Sequence, residues 1–347
     1  MALLLGKASP KIEQLASERI RISLDNGIRV ETPSYTLALD PKKPSSCDYS
    51  FISHAHLDHV HSPDQNSKVL ASSETAKLAN LRGYKLGRTL EEAHGIELID
   101  SGHIFGSKSI LIEDRVFYTG DISTRNRAFL KGCRGVKCDT LIMETTYGRP
   151  HYIFPRNEDI IKEVNAFISR CFDRGRPVIL TGYPLGKAQM ISYFLENWDP
   201  VYLHDAVHKM NRAHIEMGVN IRDFASLSAE SERKLSQGPW LLIAPMSSGR
   251  SKFIREMKQK FNAAVAAFSG WSIDRGYKFE MGLDEAFAVS DHCDFKELVD
   301  LAKFCDPSMI YTVHGFAKEF ADYLSTLGFE AQPLSEGTLQ ERITNYA

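Results

Sequence analysis

The stretch His54-Ala-His-Leu-Asp-His59 constrains this chain more than any other. It sets three imidazoles and one carboxylate within six residues. Imidazole and carboxylate are the ligand types that suit Zn²⁺ and its neighbours, and such density points to a transition-metal site with more than one ion. The preceding residues, Tyr49 to Ser53, include aromatic and β-branched side chains, which predicts a short strand ending just before the histidines. Ligands at a strand end and in the turn after it can converge on an ion from several sides.

The same device recurs along the first half. His103 follows Gly102 close to a strand end, and Asp121 follows Gly120 after the strand Val116 to Tyr118. Ser109 to Ile112 pairs with that strand as a hairpin about Glu113-Asp114, and the apolar run from Leu141 ends in Glu144. Residues 19–40 alternate apolar and polar around Asn26-Gly27, a hairpin signal, and read as antiparallel strands. The last ends in Asp40, placed either to support the metal cluster from behind or simply to turn the chain before Pro41. Four strand ends thus deliver His, Asp and Glu groups, which is how a hydrolytic metal site is built on the edge of a sheet.

From about residue 157 the texture changes. Helices are expected at 157–170, 188–196, 206–217 and 253–261, and strands at 177–181, 201–204, 240–244 and 263–268. Strands alternating with helices of this length imply a parallel α/β sheet. The loop Gly182 to Lys187 has the outline of a phosphate-cradling turn but lacks the full G-x-x-x-x-G-K-[ST] pattern, so no nucleotide-hydrolysing reading follows. Phe287 to His292 and Met309 to His314 then read as strands ending in histidine, flanking a helix from Phe295 to Phe304. The α/β module therefore reads as an insertion at 157–283, between a first part at 1–156 and a second at 284–347.

The composition suits a soluble globular protein, with 43% apolar and 25% charged residues in 347. No apolar run approaches the ~20 residues that span a bilayer, so no membrane role is expected. The apolar patch Ala2 to Leu5 is not followed by a signal-peptide layout. Cys47, Cys133, Cys138, Cys171, Cys293 and Cys305 form no paired framework, which fits reduced thiols and a cytoplasmic location. A net charge of −2 conceals +4 within residues 151–275, which suits a polyanionic partner or merely a solvated surface.

These motifs together resemble the metallo-β-lactamase superfamily and, within it, the β-CASP nucleases, over nearly the whole chain from about residue 20. Asp40, the His54 to His59 stretch, His103 and Gly120-Asp121 match the superfamily's first four motifs. Glu144 in Glu-Thr-Thr-Tyr-Gly, His292 in Ser-Asp-His-Cys-Asp and His314 in Val-His-Gly look like β-CASP motifs A, B and C. Leu185 to Gln189, Phe268 to Trp271, Arg275-Gly276 and Ser290 to Phe295 further resemble the prokaryotic ligase-associated DNA exonucleases and mRNA 3′-end-processing-factor-like proteins. The short insertion is similar to that of the Artemis-type repair nucleases, which usually carry Val at motif C where this chain has His314.

The resemblance implies an αββα sandwich of the metallo-β-lactamase type with an inserted α/β β-CASP domain. It implies that His54, His56 and His103 hold one Zn²⁺, that Asp58, His59 and His314 hold a second, and that Asp121 bridges them, with Mn²⁺ or Mg²⁺ as alternatives. His292 would protonate the leaving oxygen or stabilise the transition state, Glu144 would orient it or serve as a structural carboxylate, and Asp40 would support the ligands. Lys187, Ser247, Ser248, Arg250 and Trp271 are candidates to hold phosphate or stack a base, and equally candidates for ordinary surface or packed residues. His61, His94, His151, His204, His208 and His214 read as surface or structural histidines.

The function implied first is a 5′-to-3′ DNA exonuclease of DNA repair, with a DNA ligase or helicase as an associated partner. RNA endo- or exonuclease chemistry in 3′-end processing or decay is the near alternative. A small-molecule metallo-hydrolase and a silent nucleic-acid-binding protein are the other classes.

Overall fold

The computed structural model describes residues 20–63, 66–228 and 235–335. The patch Ala2 to Leu5 lies outside the described residues. Three sheets organise the chain. The first runs Arg21–Leu24, Ile28–Glu31, Thr36–Leu39, Tyr49–Phe51, Lys68–Leu70, Thr89–Leu90 in spatial as in chain order. Its first three strands are antiparallel, as their alternation predicts, and the rest are parallel.

The second sheet places Thr140–Glu144 between Val116–Tyr118 and Met309–Val313, so chain from both ends of the sequence shares one sheet. The expected hairpin is present, with Val116 opposite Ile112. Its two turn residues, Glu113 and Asp114, both take positive φ, matching the twist of the paired strands.

Alternation decides how these two sheets pack. Ile22, Val30, Leu37, Leu39 and Phe51 from the first face Ile110, Ile112, Tyr118, Ile142 and Tyr311 from the second in one buried core. Helix α1 (Ser73–Leu81) covers the outer face of the first sheet through Leu78 and Ala79. The helices Phe295–Cys305 and Ala317–Thr326 cover the outer face of the second through Leu298, Leu301, Phe320 and Leu324. The result is a helix–sheet–sheet–helix stack.

The third sheet is parallel throughout, in the order Ala225–Ser226, Val201–Leu203, Leu241–Pro245, Val178–Gly182, Ala264–Phe268, Glu285–Phe287. Val178–Gly182 and Ala264–Phe268 are buried at every residue, because helices lie on both faces. Helices α2 (Asn157–Phe172), α3 (Lys187–Phe194), α4 (Asp205–Glu216) and α5 (Lys252–Phe261) fall within a residue or two of their expected bounds.

One expectation needs correcting. The strand read as ending in His292 stops at Phe287, and it pairs with Ala264–Phe268 in the third sheet, beyond the expected boundary at residue 283. His292 therefore stands on the loop that leaves the third sheet.

The chain order of the third sheet has a consequence for binding. The segment after Val178–Gly182 leads toward one edge, and the segment after Ala264–Phe268 toward the other. Between these neighbours the connections diverge, and ligands of open α/β sheets bind where the loops part in this way. The loops concerned carry Tyr183 to Gly186 and Ser269 to Trp271, and both reach the histidine cluster.

Candidate metal centre

The histidine turn follows the strand Tyr49–Phe51 at the carboxyl end of the first sheet. Gly120 lets a second strand end approach it. A Cβ at Gly120 would lie 2.8 Å from Ser53 Cβ, and φ is +53°, so glycine alone fits there and Asp121 is brought against the histidines. Asp121 Oδ2 stands 3.5 Å from His54 Nε2, 3.5 Å from His59 Nε2 and 3.6 Å from His103 Nε2.

What lies behind each imidazole decides its tautomer. Leu185 carbonyl can only accept, so His56 Nε2 donates to it at 3.1 Å and His56 Nδ1 is left with its lone pair. Asp291 carbonyl does the same for His103 Nδ1 at 3.0 Å. Ser53 Oγ gives its proton to Asp40 Oδ2 at 2.6 Å, so His54 Nδ1 must donate to Ser53 at 2.9 Å. His59 Nδ1 donates to Asp40 Oδ2 at 2.9 Å, and Tyr118 donates its hydroxyl to the same oxygen. Of the two roles open to Asp40, the structure shows a buried carboxylate bonded directly to His59 and through Ser53 to His54.

The inner nitrogens then face one another without protons. His56 Nδ1 and His103 Nε2 are 3.2 Å apart, both carrying lone pairs, and buried His54 Nε2 has no hydrogen-bond partner among the described residues. Lone pairs directed at each other and at a carboxylate repel unless a cation sits among them. The ligand atoms of His54, His56, His103 and Asp121 all lie within 4.8 Å of one another, which fits a metal ion held by nitrogen and oxygen. Burial, joined by the neighbouring imidazoles, keeps His54 and His103 well below the usual histidine range, and so neutral as ligands must be. Burial also opposes charge on His59, but Asp121 and Asp40 outweigh it and lift the pKa to about 10. A cation entering beside His59 therefore displaces a proton.

The second expected ligand group is more open. His59 Nε2 is 3.8 Å from Asp58 Oδ2, and the rings of His59 and His314 are 5.5 Å apart. Asp58 has 81% of its side chain exposed and His314 is exposed too, so both stand at the rim. His314 takes φ +59°, and Gly315 passes so close to the Thr145 carbonyl that a Cβ would lie 2.4 Å from it.

Glu144 is buried at the end of its strand and accepts from Thr146 N at 2.8 Å. Its other oxygen lies 2.8 Å from His292 Nδ1. Burial opposes charge on His292, but Glu144 and Asp121 prevail and raise its pKa to about 9. The His292 ring packs 4.5 Å from that of His103.

A cavity of about 340 Å³ opens over this cluster, lined from below by His56, His59, Asp121, His292 and His314 and from the third-sheet side by Tyr183, Leu185, Lys187, Ser269 and Trp271. That volume lies in the range of sites that hold one small ligand or one end of a larger one.

The candidate phosphate contacts fare unequally. Lys187 reaches the cavity wall, but its buried ammonium is committed to Asp291 Oδ1 at 2.9 Å and the Val289 carbonyl at 3.1 Å. Ser247, Ser248 and Arg250 do not line the cavity. Ser248 Oγ and Arg250 Nη2 instead donate to the carbonyls of Met281 and Phe279, so this loop is tied to the turn before Leu283. Trp271 lines the cavity while packing against Tyr147, Tyr152 and Phe316.

Asp291, Arg82, Tyr147 and Tyr183 also line the cavity and were not singled out from sequence. Asp291 alone gave a signal, as the neighbour of His292. His61 and His214, read as surface or structural, are both buried.

No family model matches the chain. It is similar to a "Probable DNA ligase" of Opitutus terrae, 33% identical over 83% of this chain and 29% of that protein. It is also similar to an "RNase J-like protein" of Methanocaldococcus jannaschii, 27% identical over 53% of this chain and 51% of that protein. The chain thus spans about a third to a half of these relatives' lengths. A crystal structure of a protein of unknown function from Enterococcus faecalis V583 shares the fold at TM-score 0.56 and 15% identity, covering 83% of this chain and 79% of that one. These relatives bear out the resemblance of the chain to metallo-β-lactamase/β-CASP proteins.

Among the described residues no helix is long and apolar enough to cross a membrane.

Proposed function

We propose that the chain is a zinc-dependent nuclease, first of all a 5′-to-3′ DNA exonuclease that works beside a DNA ligase in cytoplasmic DNA repair. The observation that carries this reading is the set of lone-paired imidazole nitrogens facing Asp121 beneath an open cavity. The relative named as a DNA ligase, much longer than this chain, supports the repair setting. The helix–sheet–sheet–helix stack, with a parallel sheet over its site, supports a metallo-β-lactamase domain in two parts and an inserted β-CASP domain.

His54, His56, His103 and Asp121 would hold one Zn²⁺, and Asp58, His59 and His314 with Asp121 a second. Bound there, Zn²⁺ supplies a Lewis acid for the phosphate oxygens and a water acidic enough to ionise near neutral pH. The chain's own residues do the rest. Asp40, Ser53, and the carbonyls of Leu185 and Asp291 hold the ligand rings in one tautomer. Glu144 keeps His292 protonated and aimed at the cavity, where it gives its proton to the leaving oxygen.

RNA as the substrate is the second reading, supported by His314 beside His59 and by relatives named as RNases. Matched end-labelled single-stranded DNA and RNA, with and without a 5′-phosphate, distinguish the two. Stepwise loss from the 5′ end of DNA, abolished in His292→Ala, is expected. Preferential cutting of RNA would overturn the DNA reading, and no cutting of either by zinc-loaded protein would overturn both.

A further inference from the structure

A nucleic acid brings a phosphate at every nucleotide, and a metal centre meets the one that is cut. The neighbouring phosphates need other cations. Among the residues lining the cavity, two carry a lysine or arginine charge, Lys187 and Arg82. Lys187 is held by Asp291 and Val289 and has little left to offer a ligand.

Arg82 differs in each respect. It stands at the carboxyl end of α1, half-buried, and forms no ion pair within 4.0 Å among the described residues. Its Nη1 donates to the Ala55 carbonyl at 2.7 Å. Ala55 lies between His54 and His56, so this bond fixes the guanidinium plane relative to the histidine turn. The other guanidinium nitrogens have no hydrogen bond to a described residue. Burial works against the charge, and Tyr84 and Asp58 favour it. A planar fork anchored on one side, open on the other and without a described carboxylate within 4.0 Å is arranged to receive an anion. Exposed apolar side chains stand in the same lining, Tyr183 at 52% and Leu57 at 59%, as surfaces for the base or sugar that accompanies such a phosphate.

We propose that Arg82 binds a backbone phosphate of the nucleic acid next to the one that is cut, and so sets the register of the strand over the metal centre. This rests on the nuclease reading above. Arg82 is a binding residue here, and its neighbours on the histidine turn do the chemistry.

The test uses the zinc-loaded chain and a short end-labelled oligonucleotide in which one phosphate at a time is replaced by a neutral methylphosphonate. In the wild type, one replacement beside the cut should raise KM. Arg82→Gln should raise KM roughly 10–100-fold on the unmodified strand. It should also lower the slope of log KM against log salt by about 0.7, and become insensitive to that same replacement. Arg82→Lys should restore the salt slope but only part of the affinity, since the fork is lost. Melting temperature and metal content are read alongside, because the Ala55 bond also supports the turn. If Arg82→Gln loses metal and kcat together while KM, salt slope and methylphosphonate response stay as in the wild type, Arg82 only props the turn and the proposal falls. If the wild type leaves every oligonucleotide intact, the nuclease reading falls first and takes this one with it.

Discussion

Asp40 makes three hydrogen bonds through one oxygen, and those to Ser53 and His59 decide how the His54 and His59 imidazoles present themselves. Asp40→Ala should weaken metal binding about 10–100-fold, read by competition with a chromogenic chelator. Retained affinity would mean that the rings are held without it. His292 tests the acid. His292→Gln should lower kcat by about 10²–10⁴ with metal content unchanged, because Glu144 and the cavity remain but the proton donor is gone. The dense stretch His54 to His59 was legible from chemistry alone, since few other uses exist for so many donors in six residues. Asp291, Arg82 and Tyr183 were not. Each reaches the cavity from a different part of the chain, and as single residues they carry no pattern. Lys187 was singled out, but its burial against Asp291 was not legible, because it depends on a partner 104 residues away.

At the scale of an element, α4 carries a histidine that titrates with folding. His214 is buried, its Nδ1 donates to the Met210 carbonyl at 2.8 Å, and its Nε2 has no partner among the described residues. The rings of Phe105 and Phe129 pack beside it. Burial lowers its pKa to about 4, against roughly 6.5 for histidine in an unfolded chain. Between these values the unfolded chain holds the extra proton, so stability declines as pH falls from 6.5 toward 4. In His214→Phe the urea midpoint should fall less steeply over that window, and an identical slope would assign the effect to other groups. Elements were the most legible part of the sequence. Alternation gave the antiparallel strands, and apolar runs between amphipathic helices gave the parallel sheet. The strand before His292 was assigned the wrong role, because periodicity records that a segment is extended and not which sheet completes it.

For the whole molecule, the contact of the third sheet with the stacked pair of sheets matters most. Lys187 on α3 and Asp291 on the loop before His292 form a buried ion pair across it. Lys187→Met leaves Asp291 buried without its partner and should cost about 3–5 kcal/mol in urea unfolding. Lys187→Met with Asp291→Leu should recover much of that, since the unpaired charge is gone. Equal losses in the single and double variants would show that the pair does not act as a unit. The layered stack follows from strand patterning, but its closing over the histidines depends on pairings between distant segments, such as Thr140–Glu144 with Met309–Val313, that local sequence does not encode. In the proposed function the convergent histidines form a metal centre that cuts phosphodiester bonds. Its most direct test is cleavage of an end-labelled oligonucleotide before and after exhaustive chelation, with bound metal measured at each step. Activity should disappear as metal leaves, return when Zn²⁺ is added, and fail to return in Asp121→Ala. Undiminished cleavage by the metal-free chain would contradict the account.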